Sequence, residues 1–93
     1  MGKRHHFIGN LMEQTALHPE AVPGHPIIEI AGEHRVLIEN HLGIAAYEKE
    51  RILVNVNFGA ICINGCNLEI LRMTKEQLVI FGIIHSVGLQ RRR

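Results

Sequence analysis

Arg51-Ile-Leu-Val-Asn-Val-Asn-Phe-Gly-Ala-Ile-Cys-Ile-Asn-Gly-Cys-Asn-Leu-Glu-Ile70 is the stretch that decides the fold class of this chain. Ile52, Val54 and Val56 alternate with Arg51, Asn55 and Asn57, the period of two by which a pleated strand sends apolar side chains to one face. Two turn signals follow, Phe58-Gly59 and Asn64-Gly65. Asn-Gly suits a type I′ turn, which needs positive φ at both central residues. A two-residue turn at Asn64-Gly65 predicts Ile63 opposite Cys66 and Ile61 opposite Leu68. The same turn at Phe58-Gly59 predicts Val56 opposite Ile61 and Val54 opposite Ile63, whereas a bulged three-residue loop would change the parity there. In this register Ile52, Val54, Val56, Ile61, Ile63, Cys66, Leu68 and Ile70 share one face. The other face carries Asn55, Asn57, Asn67 and Glu69, with Leu53 and Cys62. A one-residue slip would invert a strand, so parity kept through two turns is evidence for register.

The rhythm extends in both directions. Short apolar runs separated by Gly, Asn or charged residues predict strands over 27–31, 34–39, 43–47, 51–57, 60–63, 66–72 and 78–84, the last continuing toward residue 89. The expected fold is all-β, an antiparallel meander of about seven short strands closed as a small sandwich or curled sheet. The last strand is apolar on both sides: Leu78, Ile80 and Ile84 share one face, and Val79, Phe81 and Ile83 the other. Such a strand needs two covers, so it is either sandwiched or forms an interface between chains.

Upstream the character differs. Phe7, Ile8, Leu11, Met12 and Thr15 recur at helical spacing, which predicts a short N-terminal helix or arm over 7–17, weakened by Gly9 and stopped before Pro19. Pro19, Pro23, Gly24 and Pro26 make 17–26 a linker. The organisation read from the sequence is therefore a helix or arm and linker over 1–26, a β domain over 27–90, and a basic tail over 91–93.

Composition bounds the function. The chain has 93 residues, 46% hydrophobic and 20% charged, which fits one folded domain. Its formal charge of +1 gives no strong field toward nucleic acid, and Phe7, Tyr47, Phe58 and Phe81 are too sparse for a base-stacking platform. No nucleic-acid partner is expected. The basic ends, Lys3-Arg4 and Arg91-Arg92-Arg93, read first as solvated termini; the sharper alternative is a membrane-surface or nucleic-acid adaptor that uses them with the N-terminal helix. Residues 1–19 carry no continuous apolar stretch of the signal-peptide kind, and 78–84 is too short to cross a bilayer, so a cytoplasmic, reducing location is expected.

No catalytic constellation emerges. Ser86 is the sole serine and sits in no nucleophile-elbow context, there is no Asp, and the glutamates stand singly. The glycines lack phosphate-loop spacing. Seven histidines (His5, His6, His18, His25, His34, His41 and His85) with Cys62 and Cys66 raise a small metal-binding regulator as an alternative. The expected hairpin, however, points the two thiols to opposite faces, which opposes both shared ligation and a disulfide. Neither an enzyme nor a cofactor is expected. What remains is edge chemistry, because an open meander leaves outer strands able to pair with another chain.

Arg35-Val-Leu-Ile-Glu-Asn-His-Leu-Gly43, then Tyr47, the run from Gly59 to Ile70 and Leu78-Val-Ile-Phe-Gly-Ile-Ile84 together resemble the YabP/YqfC family of sporulation proteins. The phrase Ile38-Glu-Asn-His41 and the preceding strand from Pro26 to Gly32 are most similar to its YqfC branch. The resemblance implies a non-enzymatic protein of endospore-forming bacteria, made during sporulation and needed for its progress; the edge chemistry adds the expectation that it works through protein–protein contacts. It further implies a membrane-bound partner encoded nearby, action at the mother-cell face of a spore membrane, and peripheral membrane contact at most. Homo-oligomerisation through a strand edge or the apolar last strand is a further expectation. The resemblance carries over no catalytic residue. Candidate partner contacts are the distinctive turn Glu39, Asn40 and His41, and the outer residues Val79, Phe81 and Ile83. At that turn Asn40 suits left-handed geometry and Glu39 is expected to cap.

Overall fold

A computed structural model describes residues 24–92. The helix expected over 7–17, the first part of the linker and Arg93 lie outside the described residues. Six antiparallel strands form one sheet: β1 (Ile27–Ala31), β2 (Arg35–Glu39), β3 (Ile44–Tyr47), β4 (Arg51–Val56), β5 (Gly59–Met73) and β6 (Gln77–Arg91), in the spatial order β1-β2-β6-β5-β4-β3. β6 runs through Arg91, one residue into the stretch read as a tail. Arg92 follows it, donating its N–H to the Phe58 carbonyl and its Nη2 to the Asn57 carbonyl.

The strand count is one lower than the sequence predicts, for a specific reason. Asn64-Gly65 is not a turn; β5 runs straight through it and pairs with β6 from Gly59↔Arg91 to Met73↔Leu78. Neither Asn64 nor Gly65 takes positive φ. Glycine is needed there because β6 comes so close that a Cβ on Gly65 would run into the Ile83 carbonyl. Local turn preference thus loses to a long-range ladder with a strand that is apolar on both sides. The register shifts at Asn64/Gly65 and between Cys66 and Glu69, where Asn67 sits at φ 51, are β-bulges that bend the long hairpin. Gly82 faces that bend at φ 148, where a Cβ would stand 2.7 Å from the Asn67 carbonyl oxygen.

The other expected turn moves by one residue. Asn57 and Phe58 make the loop, so Val54 pairs Ile61 and Ile52 pairs Ile63. Relative to the expected register this is a slip of two, which preserves every facing. Ile52, Val54, Val56, Ile61, Ile63 and Leu68 are accordingly buried, as expected, while Cys66 is only partly covered. They join Val36 and Ile38 of β2 and Leu78 and Ile80 of β6 in one cluster. β2 and β4 lie on opposite flanks of the hairpin, so a shared core requires the sheet to curl, with the bulges supplying the bend. The residues between β2 and β3 bridge the two flanks: Asn40 N–H donates to the Glu76 carbonyl (2.8 Å) and Leu42 N–H to the Asn55 carbonyl (2.7 Å).

Candidate functional site

The two candidate contact regions sit very differently in this sheet. Asn40 ends β2 at φ 65, the left-handed geometry expected of it. Its Nδ2 donates to the His25 carbonyl at 2.9 Å, tying the approach to β1. His41 turns inward and keeps only 7% of its surface. Its Nδ1 accepts the Gly43 N–H (3.0 Å), which leaves the hydrogen on Nε2 to donate to the Thr74 carbonyl (2.9 Å). Both ring nitrogens are occupied inside the protein. Glu39 does not cap the turn. Its carboxylate accepts from Gln77 Nε2 (3.3 Å), its ladder partner in β6, so cross-strand pairing takes the group that a turn would have used. Asn40 and His41 are therefore spent on tying the end of β2 to the approach to β1 and to the β5–β6 loop, while Leu42 and Gly43 bond to Asn55 of β4.

Val79, Phe81 and Ile83 face outward, alternating with the buried Leu78 and Ile80. Phe81 and Ile83 are each 43% exposed in mid-sheet. The register brings neighbours that the sequence did not single out. Arg35 and Glu69 flank Phe81 in one row across the sheet, and Leu37 and Arg72 flank Val79 in the next, with Glu29 beside Leu37. The alternation of Arg35 with Val36 and Leu37 with Ile38 signals outward facing, but which residues flank Phe81 emerges only once β2, β5 and β6 are paired. His34 lies over Phe81 with ring centroids 5.9 Å apart and planes 24° apart, held by a hydrogen bond from Nδ1 to the Gly82 carbonyl (3.0 Å). Two hollows open on this face. One, of about 440 Å³, is walled by His34, Leu68, Phe81 and Ile83 with Lys49 and Glu69 at its rim. The other, of about 230 Å³, is floored by Leu37 and Val79 beneath Glu29, Arg35 and Gln77.

The cysteines are free thiols on a single strand, not on facing arms of a hairpin. Cys62 is buried, 3.5 Å from Asn64 Nδ2. Cys66 lies 3.9 Å from His85 Nε2. Among the described residues no group of three or more His, Cys, Asp or Glu side chains converges as metal ligands would. His5, His6 and His18 lie outside them.

Fold and surface together define a small antiparallel β protein built on one bent hairpin, with an apolar outer face rimmed by charges of both signs. The chain belongs to the YabP family, whose model matches residues 23–93. That membership suggests a sporulation-related protein. No curated protein and no solved structure matched the chain.

Proposed function

We propose that this chain is a non-enzymatic sporulation protein that acts through protein–protein contacts, in the cytoplasm on the mother-cell side of a spore membrane, with a membrane protein among its partners. The observation that carries the reading is the outer face of β6, where Phe81 and Ile83 stay 43% exposed and wall the larger hollow, while Ile80 next to Phe81 is fully buried. Large apolar side chains held in mid-sheet beside a hollow are the kind of anchor that protein contacts use. The likeness of Ile38-Glu-Asn-His41 and of the strand before it favours the YqfC branch within the family.

The test is genetic. In an endospore-forming host lacking its own copy, the wild-type chain restores heat-resistant spores and Phe81→Arg does not, although the variant accumulates to the same level. Full restoration by Phe81→Arg refutes the reading.

A further inference from the structure

We propose that the outer face of β1, β2, β6 and β5 binds a second copy of this chain, face to face. This deepens the reading above and rests on it for biological purpose alone. In one row across the sheet stand Arg35, Phe81 and Glu69; in the next stand Glu29, Leu37, Val79 and Arg72. The charges are therefore opposite in sign along β5 and at the two ends of each row, around an apolar centre. Among the described residues none of these four charged side chains is in an ion pair.

Such a pattern is its own complement. A half-turn about an axis lying in the face and perpendicular to the strands lays each row on the other. Glu69 then meets Arg72 of the second copy, and Arg35 comes beside Glu29. Phe81, protruding with 43% of its surface open, comes down on the hollow of about 230 Å³ floored by Leu37 and Val79 of the second copy. Two-fold symmetry makes every one of these contacts twice. An anionic lipid surface fits less well, because two acids stand among the two bases and cancel the attraction. A strongly charged protein partner fits less well for the same reason. The matching charges and apolar centre occupy two rows of side chains across β1, β2, β6 and β5, which places the contact at the small end of specific interfaces and makes the dimer weak and concentration-dependent.

Sedimentation velocity of the full chain, from low micromolar to submillimolar concentration, tests this. The wild type shifts from monomer to dimer mass. Glu69→Arg and Arg72→Glu each weaken association about tenfold, since each breaks two pairs and creates two repulsions, and the double variant returns to near wild type. Both positions are exposed, so all three proteins fold, and circular dichroism checks that they do. A monomer throughout, a dimer indifferent to either reversal, or a double variant as weak as the singles overturns the proposal. Spore restoration separates the two readings. A monomeric protein whose spores still depend on Phe81 refutes the second copy and leaves the contact reading standing. A dimer whose spores form normally with Phe81→Arg does the reverse.

Discussion

Asn40-His41 and Val79-Phe81-Ile83 are both conspicuous in the sequence, yet the first pair is tied into the fold, with His41 turned inward, while Phe81 and Ile83 stand open on the outer face. At the turn the Asn40 Nδ2 and both His41 ring nitrogens are used internally: the Asn40 amide on His25, one His41 nitrogen on Gly43 and the other on Thr74. On β6, Phe81 and Ile83 make few such commitments and remain half open to solvent. A distinctive phrase can thus be spent on holding the fold together. What separates structural from presented residues is whether their bonding capacity is consumed inside the chain.

That contrast can be broken at several points, with effects of decreasing size. Gly65→Ala strikes hardest, because the added methyl meets the Ile83 carbonyl, which is strand backbone and cannot rotate away. It should cost at least about 3 kcal/mol or prevent folding, and it should distort the outer strip at Ile83, read by denaturation and by near-UV spectra. His41→Ala leaves the Thr74 carbonyl and Gly43 N–H without their partner in a nearly dry site, which costs about 2–3 kcal/mol in urea denaturation. Asn40→Val puts a β-branched residue at φ 65 and removes the bond to His25, a loss of about 1–2 kcal/mol. Phe81→Ser costs no more than that, about 1–2 kcal/mol, since 43% of the residue is already in water. Its association and spore phenotypes should nonetheless be lost.

Much of this was legible in the alternation alone. Ile27–Ala31 is a strand with the predicted bounds, and Arg51–Val56 ends one residue early. The inner set Ile52, Val54, Val56, Ile61 and Ile63 survives a two-residue change of register because facing depends on parity, not on the partner. The Asn64-Gly65 signal misled because a turn and a close backbone approach both call for glycine, and only the distant Ile83 distinguishes them. Glu39 misled for a similar reason: its partner Gln77 is far along the chain. The charged rim of the outer face was hidden as well, since Arg35, Glu69, Glu29 and Arg72 become neighbours only after four strands have paired.

The opposed roles of the turn and the outer strip can be measured side by side, by urea denaturation of His41→Ala and Phe81→Ser at a concentration where the chain is monomeric. The account predicts a clearly lowered midpoint for His41→Ala and a smaller drop for Phe81→Ser. The opposite order, with the Phe81 variant the less stable, would contradict it.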